Sequence, residues 1–127
     1  MAKDDYSVVV LKILSYLYGC LKNGEDPSAE VLSPSGTWFQ IKGKPLNELY
    51  WENILSMLQE DGLIKGIRYT KPWGAEKIRI SDISELRITT AGISYLQENS
   101  SMRKALEVLK SIGDVAAKAI SAIVPFA

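Results

Sequence analysis

The 127-residue chain has 46% hydrophobic and 24% charged residues, which are ordinary values for one globular domain and exclude extensive disorder. Its 15 Lys/Arg and 15 Asp/Glu cancel, so it lacks the overall basic character of a dedicated nucleic-acid binder. The absence of histidine removes the usual general base, and a single cysteine, Cys20, excludes an intramolecular disulfide.

The first predicted element is a helix over residues 5–22. Its apolar residues recur at spacings of three and four, and only a narrow polar stripe, which includes Lys12 and Ser15, interrupts them. So narrow a stripe predicts a largely buried helix, with Cys20 as a buried, reduced thiol. With no signal-peptide pattern at the start and no long apolar run, we expect a cytoplasmic protein.

Residues 23–45 carry weaker signals. Asp26-Pro27 predicts a helix cap and a short helix over about 27–32. Residues 38–41 fit a short strand.

A second long helix is predicted over residues 46–60, with apolar and polar residues on opposite faces. The polar face includes Glu48 and Glu52, and Gly62 lies where a left-handed C-cap is needed. The predicted apolar face comprises Leu46, Tyr50, Ile54, Met57 and Leu58, with Trp51 and Leu55 at its edge.

Residues 63–71 then alternate with the period of a strand, and Pro72-Trp73-Gly74 is a turn signal. Alternation resumes within residues 77–88, so the two segments predict an antiparallel ribbon. Its core-facing residues are expected to be Ile67, Tyr69, Ile78, Ile80, Leu86 and Ile88.

Thr89 or Thr90 is predicted to cap a third helix that runs through Glu98. A last helix is predicted over residues 102–122.

The order of helices followed by a ribbon predicts a mainly α fold with a small antiparallel β-ribbon. We interpret residues 1–99 as a winged-helix (winged helix-turn-helix) domain. Residues 100–127 are interpreted as a C-terminal amphipathic helix used for association or packing.

Several passages together resemble the YjcQ family of small bacterial and prophage-associated proteins. These passages are Ile13-Leu14-x-x-Leu17, Leu55-x-x-Leu58-x-x-x-Gly62-Leu63-Ile64, Ile88-Thr89-x-x-Gly92-x-x-Tyr95-Leu96 and Glu98-Asn99-Ser100, followed by a lysine-rich amphipathic tail. The resemblance implies a winged-helix fold, a cytoplasmic setting and a phage-related origin. It implies no activity.

A basic wing is the first candidate functional site, because cations on one side of a ribbon are suited to phosphate contacts. The alternative is a solvated strand face, and Glu48 and Glu52 would oppose DNA in the major groove. Trp73 could stack on a base or fold back over the ribbon. The candidate nucleic-acid contacts are Lys42, Lys44, Asn47, Arg68, Lys71, Lys77, Arg79 and Arg87.

Two functions follow, and both are non-enzymatic. The first is a phage or bacterial regulatory protein that binds duplex DNA, and the second is a protein–protein interaction module without DNA binding. The sequence contains no phosphate-binding glycine motif and no gathered metal ligands, so we expect no cofactor, metal or small-molecule substrate. We expect no membrane partner either, because no apolar run is long enough to span a bilayer and the polar stripe of the last helix mixes charges of both signs.

The pattern of the last helix predicts a homodimer. Two apolar rows cover so much of its surface that the helix must be buried against other protein rather than exposed to water. One row has the spacing of a coiled-coil seam: Met102, Leu106, Leu109, Gly113, Ala116, Ile120 and Ile123. The second row comprises Ala105, Val108, Ile112, Val115, Ala119 and Ala122. The alternative is that the chain's own domain covers one row.

Overall fold

The fold is mainly helical, with an antiparallel ribbon after the second helix. A computed structural model describes residues 2–41, 43–71, 73–74 and 79–124, with side chains from Tyr6 onward. Within these ranges the elements are α1 (Ala2–Asn23), α2 (Glu48–Glu60), β1 (Ile64–Lys65), β2 (Arg68–Thr70), β3 (Arg79–Asp82), β4 (Arg87–Ile88), α3 (Thr90–Glu98), α4 (Ser100–Ser111) and α5 (Ala117–Ile123). The predicted fold class is confirmed: a winged-helix-like arrangement is followed by additional C-terminal helical structure.

The central helix is α1, which contacts α3, α4, α5 and β4. Every residue from Val8 to Ser15 is buried. The narrow polar stripe is itself covered, since Lys12 and Ser15 are both fully buried. Gly19 lets α5 approach closely, because a Cβ at this position would be 3.1 Å from the Ile123 side chain.

The predicted short helix over about 27–32 is wrong, because the chain forms only turns there. One helix-type hydrogen bond runs from the Leu32 N–H to the Ser28 carbonyl at 2.9 Å. A single helical turn is unfavourable to nucleate, and Ser33-Pro34 follows before more turns can be added. Leu32 is buried, so a core side chain rather than a helix holds this segment.

The predicted strand over 38–41 is also wrong. Ile41 and Lys44 exchange two backbone hydrogen bonds of 3.0 and 3.1 Å and form an isolated bridge. Phe39 is fully buried, and its ring packs edge-on against Trp51 of α2 with 4.5 Å between centroids. This aromatic contact fixes the segment against α2.

The ends of α2 follow the sequence signals. Asn47 Oδ1 accepts a hydrogen bond from the Tyr50 N–H at 3.1 Å, and Gly62 has a left-handed φ of 78°. The predicted apolar face is rotated, however, because Tyr50 and Met57 are exposed. The buried residues of α2 are Trp51, Ile54, Leu55 and Leu58.

The predicted antiparallel pairing of the ribbon is confirmed. β1 pairs with β4, with Ile64 opposite Ile88, and β2 pairs with β3, with Tyr69 opposite Ile80. The first strand is interrupted at Gly66, which has a φ of 101°. A Cβ there would lie 2.1 Å from the carbonyl oxygen of Glu85, so glycine is required at this break.

The predicted cap of α3 is confirmed at Thr89. Its hydroxyl accepts a hydrogen bond from the Gly92 N–H at 3.0 Å and donates one to the Gly62 carbonyl at 2.6 Å. Gly92 packs against the backbone of Leu63, just before β1, because a Cβ there would lie 2.1 Å from the Leu63 carbonyl oxygen. The cap therefore joins the start of α3 to the base of the ribbon.

The prediction of one helix over residues 102–122 is wrong. The chain leaves α4 through Gly113, which has a left-handed φ of 70°. Asp114 Oδ1 then accepts a hydrogen bond from the Ala116 N–H at 2.9 Å before α5 begins. Both α4 and α5 pack on α1 and share its hydrophobic core. The division of the chain at residue 99 stays a prediction.

A buried ion pair joins three distant segments. Lys12 Nζ of α1 donates to Asp114 Oδ2 at 2.9 Å and to the Gln40 carbonyl at 3.0 Å. Trp38 Nε1 donates to the Lys12 carbonyl at 3.0 Å. The Lys12 and Asp114 side chains are 0% and 3% exposed. Burial lowers the pKa of the Lys12 ammonium, and Asp114 opposes this shift.

Lys12→Met is expected to destabilise the fold by about 3 to 5 kcal/mol, because it leaves the Asp114 carboxylate buried without its cation. Adding Asp114→Asn should recover much of this loss, since it removes the stranded charge and keeps an oxygen for the Ala116 N–H. Urea unfolding of the wild type, single and double variants measures both changes. A Lys12→Met variant as stable as the wild type would contradict this role.

Candidate functional site

The ribbon residue Arg79 turns toward α2. Its Nε donates to Glu52 Oε1 at 2.9 Å and its Nη2 donates to Glu52 Oε2, while Glu48 Oε1 lies 3.5 Å from Nη2. The sequence predicts Arg79 among the wing cations free to contact phosphate, but its guanidinium is turned toward α2 and paired there. The planar guanidinium of arginine can donate two parallel hydrogen bonds to one carboxylate. The two carboxylates of α2 beside β3 are those of Glu52 and Glu48.

This pairing keeps both partners charged. The hydrogen bonds from Arg79 lower the pKa of the Glu52 carboxyl, and burial opposes the shift only in part. The same bonds raise the pKa of Arg79. Glu52 Oε1 also accepts the Ile80 N–H at 3.3 Å, so one carboxylate binds both the side chain and the backbone of β3.

Two further hydrogen bonds fix the ribbon on α2. The Tyr69 hydroxyl donates to Ser56 Oγ at 3.1 Å, and the Ile67 N–H donates to Gln59 Oε1 at 2.9 Å. Together with the Arg79 pair, they hold the wing against the acidic side of α2.

The remaining wing cations lie on separate elements. Arg68 forms an exposed ion pair with Glu85 at 2.9 Å. Lys71 follows β2 and is exposed. Arg87 of β4 is exposed and lies opposite Lys65 in the strand register.

The predicted contacts before α2 differ in their surroundings. Lys44 is exposed, whereas the Asn47 side-chain oxygen is engaged in capping α2. Lys42 and Lys77 lie outside the described residues. Of the described candidates, Asn47, Arg68 and Arg79 thus have hydrogen-bond partners within the chain, whereas Lys44, Lys71 and Arg87 are exposed.

An exposed apolar strip, missed by the sequence reasoning, lies on α2 and the ribbon. We call it the α2 face and define it by Leu49, Asn53, Met57 and Tyr69. Leu49, Met57 and Tyr69 are 54%, 45% and 41% exposed. The three α2 residues recur every four positions and form one row, and the hydrogen bond to Ser56 places Tyr69 beside it. The sequence did contain a signal for this strip, because α2 has more apolar residues than one buried face of a helix can hold. Some of them therefore had to be exposed.

Trp73, in the turn of the ribbon, is fully exposed. The interpretation that it folds back over the ribbon is wrong. Tyr69, which we expected in the core, is also exposed. Two aromatic side chains of the wing are thus available to a partner.

The coiled-coil seam is mostly covered by its own chain. Gly113 lies in an exposed turn and Ile123 is half-buried. The buried seam residues are Met102, Leu106, Leu109, Ala116 and Ile120. The second row remains open at Val115, which is 80% exposed, and at Ile112. A homodimer, which stays a prediction, would have to use this second row.

Burial raises the pKa of the Cys20 thiol, which disfavours the reactive thiolate. Across the described ranges, no three His, Cys, Asp or Glu residues come together as a set that could hold a metal ion. None of the helices in the described part of the chain is long and apolar enough to cross a membrane.

A family model described as YjcQ protein matches residues 11–115. This range begins in α1, includes α2 and the whole ribbon, and ends in the turn between α4 and α5. It contains every short motif on which the sequence resemblance rests. No curated protein and no solved structure matches the chain.

Glu52 is expected to make stability depend on pH. Its pKa is lowered in the folded protein, so its stabilisation is present above the ordinary value of 4.5 and is lost as pH falls through the lower folded value. Glu52→Gln should therefore weaken the acid dependence of the unfolding free energy. Urea unfolding across a pH series measures this, with Glu107→Gln on the exposed side of α4 as the control. An unchanged acid dependence in Glu52→Gln would contradict the prediction.

The homodimer prediction is tested by light scattering at high micromolar concentration. We expect a dimer that Val115→Lys shifts toward monomer, because the new charge would lie in the exposed second row. Ser101→Lys, at an exposed position at the start of α4, adds the same charge elsewhere and should have no effect. A monomeric wild type would show that the prediction is wrong.

Proposed function

For this chain, which belongs to the YjcQ family, we propose a non-catalytic role in binding another protein through the α2 face. The observation that carries this proposal is the bidentate pair between Arg79 and Glu52. Arg79 is a wing cation, and its pairing with Glu52 occupies it inside the chain. Glu52 lies on α2, the helix that a DNA-binding winged helix would place in the major groove.

The charge of this region supports a protein partner over DNA. Residues 47–88 contain six Lys/Arg and seven Asp/Glu, so the helix and wing together carry no excess of positive charge. Phosphate contacts provide most of the non-specific affinity for DNA and require such an excess. A winged-helix-like fold is compatible with either role, because the site rather than the fold decides function.

The apolar composition supports the same proposal. Leu49 and Met57 expose large side chains on α2, and Tyr69 and Trp73 do so on the ribbon. Exposed aromatic residues and methionine are enriched at protein interfaces, where burial against a partner removes their apolar area from water. A catalytic role lacks such support, since the chain has no histidine and its one thiol is buried.

Duplex DNA remains a second candidate because of Lys65 and Arg87. They lie opposite each other in the β1–β4 pair, and both are exposed. Like charges directly across a strand pair are mildly destabilising, and a phosphate between them would relieve the repulsion.

Site-specific crosslinking separates the two candidates. Asn53→p-benzoylphenylalanine places a photoreactive group in the α2 face, and the same group at the exposed Glu107 serves as the control. We expect protein adducts in cells at position 53 and not at position 107. We also expect no saturable anisotropy change when the purified chain is titrated into random duplex DNA at low ionic strength.

Saturable duplex binding that Lys65→Ala and Arg87→Ala both weaken would favour the second candidate. Absence of protein adducts at position 53 would overturn the first.

A further inference from the structure

We propose that the partner presents an amphipathic helix with an apolar centre and Lys or Arg at both ends. This inference rests on the proposed function, because it specifies what the α2 face binds. The observations behind it are the exposed row on α2, in which Leu49 and Met57 flank Asn53, and the acidic residues in the first and last turns of that helix.

The row on α2 is suited to helix packing. Leu49, Asn53 and Met57 follow the i, i+4 spacing of the ridge that most often packs into a groove of another helix. The distance from Glu48 to Glu60 is about 18 Å at the α-helical rise, which is enough for three turns of a partner helix. Helix-in-groove recognition uses anchors at the same spacing.

The ends of the row are acidic. α2 contains Glu48, Glu52 and Glu60 and no Lys or Arg, and exposed Asp61 follows directly. Arg79 is occupied by Glu52 and lies at the longer distance of 3.5 Å from Glu48, whose side chain is 71% exposed. A partner lying along α2 therefore meets the exposed carboxylate of Glu48 beside the first turn and those of Glu60 and Asp61 at the last turn.

This charge pattern argues against a second copy of the chain. Two antiparallel copies of α2 packed on this row would place Glu48 of one beside Glu60 and Asp61 of the other. A parallel arrangement would pair each carboxylate with its own equivalent. Both arrangements bring carboxylates together as water is removed from the interface, and this costs free energy of association. A partner helix with basic ends would instead place Lys or Arg beside these carboxylates.

A groove beside the row offers a place for one basic side chain. It is lined by Ser56, Gln59, Glu60 and Tyr69. The hydrogen bond to Ser56 fixes the Tyr69 hydroxyl, and the side chain is 41% exposed. A Lys or Arg entering this groove can contact the aromatic ring and reach the Glu60 carboxylate.

The test uses a synthetic amphipathic helix with leucines at i, i+4 and i+7 and lysines at both ends. A matched peptide carries glutamates in place of the lysines. Calorimetric titration into the full chain is expected to give at least about tenfold tighter binding of the lysine peptide. The preference should shrink as salt is added, because exposed charge pairs are screened.

Glu60→Lys is the diagnostic variant, since a cation in the last turn of α2 is compatible with the helix dipole. It should weaken binding of the lysine peptide and strengthen binding of the glutamate peptide. Glu107→Lys makes the same charge change on α4 and should leave both affinities unchanged.

Equal affinity for the two peptides, or no binding of either, would overturn the inference. The crosslinking at Asn53 would still test the proposed function independently. If that crosslinking gave no protein adduct as well, both proposals would fail.

Discussion

The buried ammonium of Lys12 is the interaction on which the arrangement of the chain depends. A charge removed from water requires a partner, and Lys12 finds one in Asp114, more than one hundred residues away along the chain. Its second bond, to the Gln40 carbonyl, brings the long segment between α1 and α2 to the same point. The pair thus fixes where the chain turns between α4 and α5, and both helices can then cover α1.

A second ion pair, at the surface, underlies the proposed function. Arg79 and Glu52 satisfy each other, and their contact holds the wing against α2. A wing cation that would otherwise be available to phosphate is used inside the molecule. The surface that remains combines apolar side chains with acidic ends, which favours a protein partner over a polyanion. The order of elements alone suggests DNA binding, whereas the charges and exposed side chains of this winged-helix-like fold support the proposal of protein binding.

Capping signals confined to a few neighbouring residues were correct at α2 and α3, whereas the equally local signals at Asp26-Pro27 and residues 38–41 were not, because buried Leu32 and Phe39 decide those segments. The left-handed position at Gly62 and the cap at Thr89 each depend on one or two contacts close in sequence, or on backbone conformation alone. The antiparallel pairing of the ribbon followed from period-two alternation on both sides of a turn. By contrast, the coiled-coil spacing over residues 102–122 concealed the break at Gly113, because a heptad pattern does not show whether the helix continues.

By itself, the sequence determined the helix–ribbon order, the family and the lack of histidine-based chemistry, because these depend on composition and local pattern. Only the tertiary structure decided that Arg79 faces α2, that Met57 and Tyr69 are exposed, and that most of the C-terminal seam is covered by α1 and its neighbours. The physical reason is that an amphipathic pattern identifies apolar and polar sides but not which neighbour covers them. A charged side chain binds the nearest opposite charge in space, and that distance is set only when the elements pack.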